Sequence, residues 1–234
     1  QGVSSAASDV YKRQMVHCNN CTSDLNAWVN LFKEYTQLLG LPVDMNEIYG
    51  KLYNNALTGD ADCGGLISYN YFSGEPVTGL AEGRPLFVRS VNDHFTLANF
   101  MRAHLCGAVS VLKIGNDILF NEEKVKVDRI TGHGGLFKTK GVGQTILAAA
   151  LNSPISVMET AGEGGAWGVA LLASYLVNNP DKLNLADYLD AKVFAGDEGT
   201  EIVPTAADVD GFNFYIENYK KGLGIEKAAV EFKK

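Results

Sequence analysis

The stretch VKVDRITGHGGLFKTKGVGQTILAAALNSPISVMETAGEGGAWGVALLASYLV, Val125 to Val177, decides the fold. It reads as a short β-branched run, a glycine cluster and an apolar helical run, and then as the same three again. This is a strand-loop-helix unit written twice. Gly132, Gly134 and Gly135 stand where the first strand hands over to its helix, and Gly162, Gly164 and Gly165 do so for the second. Glycines there let backbone N–H groups approach a ligand with no Cβ in the way, and the following helix N-terminus favours negative charge. The chemistry that fits is a phosphate-bearing ligand, while the bland reading of Gly134 and Gly135 is a turn that starts a helix.

Downstream, Pro204 and Thr205 start a last amphipathic helix carrying Val209, Phe212, Tyr215, Ile216 and Tyr219, and the charged tail from Lys220 is expected to fray. Upstream, a long helical pattern from about Asp93 to Ile114 suits a helix crossing the back of a sheet. From Thr58 to Pro85, glycines, aromatics and turn residues alternate too densely for a long helix and predict strands and loops at the rim of a site. Asp24 opens a helix with Leu25, Trp28, Val29, Phe32, Tyr35 and Leu39 on one face, ended by Gly40 and Pro42. Asp44 with Glu47 reads as a capping box for the next helix, whose apolar face is Met45, Ile48, Tyr49 and Leu52. Met15 begins a strand-like run, MVHCNN. Residues 1–14, QGVSSAASDVYKRQ, have neither periodicity nor cap logic, read as a non-native leader, and leave residues 15–234 as the domain.

Composition narrows the partners. The chain has 234 residues, 46% of them hydrophobic, enough for a packed core. Lys and Arg number 20 against 27 Asp and Glu, a net charge of −7 with no basic run, which points away from nucleic acid and anionic membrane surfaces. The apolar run Ala166 to Val177 falls short of the roughly 20 residues a membrane span needs, and the start lacks a signal-peptide core, so a cytoplasmic protein is expected. Cys18 and Cys21 form C-x-x-C without a second pair or His cluster at zinc spacing, and reduced thiols are the expectation.

The glycine cluster fails two standard comparisons. A dinucleotide fingerprint, G-x-G-x-x-G, counted from Gly132 meets Phe137 at the sixth position. A phosphate loop, G-x-x-x-x-G-K-[ST], finds Lys138 and Thr139 in place but again Phe137 where its second glycine belongs. An NAD-dependent oxidoreductase would use Glu159 as its ribose acid, but on the wrong glycine spacing.

The whole order of features resembles the C-terminal domain of the FGGY family of carbohydrate kinases. The adenosine-binding stretch of that family has a glycine pair, a Gln opening an Ala- and Leu-rich helix, a strand, and a Glu before A-x-G-A-A. Here these are Gly134 and Gly135, Gln144, ILAAAL, PISVME, and Glu163 with Ala166, Gly168 and Ala170. GGLISYNYFSGEP is similar to the family's G-E-R region through Gly74, Glu75 and Pro76, and Arg102-Ala103 to Gly107 to its R-A-x-x-E-G helix. Three departures stand out: Pro76 directly follows Glu75 where the family has Arg, Cys106 replaces the Glu of the helix, and Ala149 replaces the Asp usual in the Gln helix.

The resemblance implies an α/β, actin/hexokinase-like (ribonuclease H-like) ATPase domain, a mixed sheet flanked by helices, with ATP and Mg2+ as cofactors. It is xylulokinase-like, and implies phosphoryl transfer to a hydroxyl of a sugar or polyol, pentulose-like first, held mainly by an N-terminal domain that also carries the base. It places Gly134, Gly135 and Leu136 beside the ribose and α-phosphate and Thr139 near the base, with Gln144 and Glu163 in support. The G-D-Q and G-T-S segments of the family do not occur in the domain, and Asp60 and Asp62 are the nearest substitutes for the base, although turn carboxylates are the commoner case. The chain is therefore expected to bind ATP or ADP and to be inactive alone. The alternative is a non-catalytic nucleotide-binding or assembly module of the same fold, and a homodimer stays open beside a monomer.

Overall fold

The computed structural model describes residues 17–127, 129–196 and 199–232, with only the backbone of Glu163 and Gly164. The expected leader and the start of the MVHCNN run lie outside the described residues; His17–Asn20 form no strand. Helix α1 spans Ser23–Leu38 and α2 Met45–Ala56. Asp44 caps α2 by accepting from the backbone amides of Asn46 (2.8 Å) and Glu47 (3.4 Å). The expected capping box is half formed, because the Glu47 carboxylate pairs with Lys51 at 2.7 Å, one turn on. α1 buries Leu25 and Val29, but its face runs out: Tyr35 is 59% and Leu39 55% exposed, since the elements covering its first turns do not reach its last.

Strands β1 (Ile67–Asn70) and β2 (Pro85–Val88) form an antiparallel pair with Ile67 opposite Val88 and Asn70 opposite Pro85. Against it lies α3, Leu97–Asp117, capped by Thr96 Oγ1, which accepts from the Asn99 amide. Every residue from Asn99 to Val111 is buried. With its π-helical continuation to Glu122, α3 is long and apolar enough to cross a membrane, but 56% of that window is buried inside the fold, which makes it the core helix. Trp28, Phe87 and Phe100 close around the buried His104 ring, at centroid distances of 5.3, 5.6 and 4.5 Å.

The second layer is a three-stranded mixed sheet in the order β3-β4-β5. β3 (Ile130–Thr131) runs parallel to β4 (Ile155–Val157), and β5 (Thr200–Ile202) antiparallel to β4. The crossover is α4, Val142–Leu151, buried along its length; β4 leads through a 3-10 turn, Glu159–Glu163, into α5, Gly164–Val177. The doubled unit is thus real, with two shifts. The β-branched run at 125–127 is not strand, the pairing beginning only at Ile130, and the first glycine cluster makes a 3-10 turn, Gly135–Phe137, so that α4 starts at Val142.

After a short α6, Leu185–Tyr188, the last helix α7 spans Ala206–Phe232. Thr205 caps it, accepting from the Asp208 amide at 3.1 Å. Phe212, Tyr215, Ile216 and Tyr219 are buried as the pattern requires. The tail, however, does not fray at Lys220. Tyr69 Oη donates to the Tyr219 carbonyl at 2.8 Å and sits close against Gly222, and Glu226 is fully buried, accepting from the Arg84 amide. A polar sequence is held helical by the hairpin it packs on.

Candidate functional site

The first glycine loop is tied down at both ends. The Gly132 amide donates to the Ser156 carbonyl (2.8 Å) and the Gly134 amide to the Ala161 carbonyl (2.7 Å), so the two glycine turns brace one another. Gly134 has φ +111°, a conformation that favours glycine, and a Cβ on either Gly134 or Gly135 would meet nothing within 4 Å. At Gly132, by contrast, a Cβ would strike the Phe137 ring, which makes that glycine a packing requirement. The amides of Gly135 and Leu136 donate to no protein acceptor among the described residues. The Leu136 side chain turns inward and packs against the core, so it anchors the loop.

Gly135, Lys138 and Thr139 form one wall of a cavity of about 500 Å³. The other wall comes from α1 and α2: Thr22, Asn26, Asn46, Tyr49 and Tyr53. Tyr49 Oη donates to Asn26 Oδ1 at 2.9 Å, and the Tyr49 and Tyr53 rings meet edge to face at 5.6 Å. Burial pushes both phenols above their ordinary value, so both stay neutral hydrogen-bonding groups. This second wall is invisible to motif reading, which gave Tyr49 only a place on an apolar helix face. Its residues, Thr22 to Tyr53, lie far ahead of Gly134 and Gly135 in the sequence and are brought over by packing alone.

Lys138 also faces a second, wider cleft of about 800 Å³ between the two glycine turns, shared with Lys140, Glu159, Thr160 and Gly162. Gln144, at the third position of α4, is buried; its Nε2 donates to the carbonyls of Ile155 (3.1 Å) and Thr200 (3.0 Å). It neither caps the helix nor faces a ligand with a spare donor, and instead staples α4 to β4 and β5. The Glu163 side chain lies outside the described residues.

Asp60 and Asp62 are placed by turns. Asp62 accepts from the Gly64 amide at 2.9 Å. Asp60 is held by His94 Nδ1 (2.6 Å) and Asn99 Nδ2 (2.7 Å), and these bonds lower its carboxyl pKa. Glu75, in the segment that lacks the Arg, is fully buried, and its Oε2 accepts from the Asn19 amide (2.9 Å) and from Asn20 Nδ2 (3.3 Å). It clamps the segment before α1 to the β1–β2 connection. Cys106 is buried beside Cys63, the apolar setting a thiol tolerates and a carboxylate does not. All four cysteines are free, and burial, with Glu75 and Cys21 adding to it, pushes the Cys18 thiol up to about 11.

The sequence matches the family model described as the C-terminal domain of the FGGY family of carbohydrate kinases over residues 3–177. No curated protein matches the chain. Among solved structures, ligand-bound xylulose kinase from Lactobacillus acidophilus is similar at TM-score 0.55 and 21% identity, over 74% of this chain and 34% of that one. Xylulose kinase from Rhodospirillum rubrum is similar at 0.56 and 19%, over 84% and 37%. Glycerol kinase from Plasmodium falciparum with ADP is similar at 0.56 and 16%, over 85% and 37%. The chain thus spans roughly a third of the length of these kinases. At these identities the likeness is one of fold, and the α/β, actin/hexokinase-like class with a mixed sheet flanked by helices is the one observed.

Proposed function

The chain belongs to the FGGY family of carbohydrate kinases, as a C-terminal domain, and from that premise we propose that it is the nucleotide-side half of an ATP-dependent sugar kinase. The observation that carries this is the cavity between the glycine loop and α1 and α2, where Gly134 and Gly135 leave open space and the Gly135 and Leu136 amides are unengaged. Phosphoryl transfer is largely positioning and neutralisation of charge. Here the two amides and the Lys138 ammonium supply donors to a ribose and phosphate chain, the Thr139 hydroxyl lies toward the base, and the missing Cβ atoms supply the room.

Among the described residues there is no cluster of three His, Cys, Asp or Glu that could cage Mg2+. The family's Mg2+ suits the nucleotide's own phosphate oxygens, its usual ligands. The acceptor in this reading is a sugar or polyol, pentulose-like first and hence xylulokinase-like, bound mainly by an N-terminal domain that also supplies the base; the setting is cytoplasmic. Neither Asp60, committed to His94 and Asn99, nor Asp62, committed to a turn, is offered as the base.

A second reading, a non-catalytic module of the same fold serving assembly, draws on the exposed apolar residues of α5, where Val169 is 68% and Leu176 82% exposed. One pair of experiments separates the two. Titration calorimetry of the 234-residue chain should show ATP and ADP binding, and a coupled assay with xylulose, gluconate or glycerol should show no turnover. A folded chain with no nucleotide binding leaves the assembly reading standing; turnover of any sugar removes the half-site claim.

A further inference from the structure

The wall opposite the glycines is built to hold something flat. The Tyr49 ring lines the cavity and is fixed at both ends: Tyr53 meets it edge-on at 5.6 Å from one turn along α2, and Asn26 of α1 takes its hydroxyl at 2.9 Å. A ring ordered before binding gives up little side-chain freedom when a ligand settles on it. Asn26 also lines the cavity, and since its Oδ1 is occupied by Tyr49, its Nδ2 group is left as a donor with no protein acceptor among the described residues. Both phenols are kept neutral by burial, so this wall carries no charge and suits an aromatic ring better than a phosphate. The positive group of the cavity, Lys138, stands on the glycine side.

We propose that Tyr49 is the base-stacking residue of this cavity and Asn26 its edge reader, taking a purine: the ring lies on Tyr49, and Asn26 Nδ2 donates to a ring nitrogen. This rests on the nucleotide reading of the same site and adds the determinant of which end of the nucleotide goes where. The base goes to the α1–α2 wall near Thr139, and the phosphates go to the Gly135–Lys138 side. It also makes α2, which carries no family motif, a specificity element.

The test compares a ligand with a base and one without. Calorimetric titrations of the 234-residue chain with ATP and with inorganic tripolyphosphate, at fixed Mg2+, are set against Tyr49→Ala and Tyr49→Phe. Stacking of a base on an aromatic ring predicts that Tyr49→Ala weakens ATP about 5- to 100-fold. It should leave tripolyphosphate within about twofold, and Tyr49→Phe should restore most of the ATP affinity. Equal losses for both ligands, or unchanged ATP binding in a folded Tyr49→Ala chain, would overturn the proposal while the nucleotide reading stands. A wild-type chain that binds neither ligand overturns both. If Tyr49→Ala melts early, Tyr49→Leu keeps the apolar bulk between α1 and α2 and carries the same comparison.

Discussion

Single residues separate open space from space used by the fold. Gly132 and Gly135 are three positions apart, yet a Cβ at the first strikes Phe137 and at the second meets nothing within 4 Å. Gly135→Val should therefore fold normally and bind ATP at least about tenfold more weakly, a loss of about 1.4 kcal/mol. Melting temperature and calorimetry on one preparation check both halves, and unchanged affinity in a folded variant would count against the cavity. This difference between neighbouring glycines was not legible in the sequence. The cluster announced a turn near a phosphate-bearing ligand, but which glycine faces open space depends on where the Phe137 ring lies. Tyr49 and Asn26 were harder still, since an aromatic at helical spacing reads as core until a second helix and a distant loop close over it.

At the scale of elements, local patterns were legible wherever one segment decides its own fate. Asp44 caps α2 and the doubled glycine pattern gives parallel β3 and β4, because cap and crossover need only neighbours in sequence. Elements whose fate is set by a distant partner were misread. The outward half of α1 has the periodicity of a buried face and nothing to bury it, and the polar end of α7 looks frayed but is clasped by Tyr69 and Arg84. Ending the chain after Lys220 should therefore lower the melting temperature by roughly 5–10 °C, from about 2–3 kcal/mol of lost burial; a truncation that melts like the full chain would show the clasp to be idle. Gln144 belongs to the same scale. Gln144→Leu leaves the Ile155 carbonyl without its side-chain donor in a buried setting, at a cost of about 1–3 kcal/mol, or roughly 2–10 °C for a domain of this size. Thermal melts check it, and a melt within 1 °C or so of wild type would mean the backbone needs no staple.

Across the whole molecule, α7 ties the layers together, packing on α4, β1 and α3, and two of its carboxyls respond to pH in opposite directions. Asp208 accepts from Arg102 of α3 at 2.6 Å; burial raises its pKa, but the bonds from Thr205 and Arg102 outweigh this and hold it below its ordinary 3.8. A lowered folded pKa gives stability that is present above the unfolded value and lost as pH falls through the folded one. Glu226 is the reverse: burial raises its carboxyl above 4.5, with the Arg84 amide and charge pulling less strongly the other way. Its contribution is complete below 4.5 and is lost as pH rises through the folded value. Asp208→Asn should accordingly melt below wild type at pH 6 and approach it as pH falls below 3.8 and on through the lowered folded value, where both side chains become neutral. Glu226→Gln keeps an oxygen for the Arg84 amide and removes the buried charge, so it should melt about 2–4 °C above wild type at pH 8, roughly 1 kcal/mol, and converge by about pH 4. Calorimetric melts of the three chains from pH 3 to 8 distinguish the two limbs. A Glu226→Gln chain that melts at or below wild type at pH 8 would mean that the ionised carboxylate is fully compensated where it sits, and that the Arg84 loop, rather than the charge, sets the stability of the last three turns of α7.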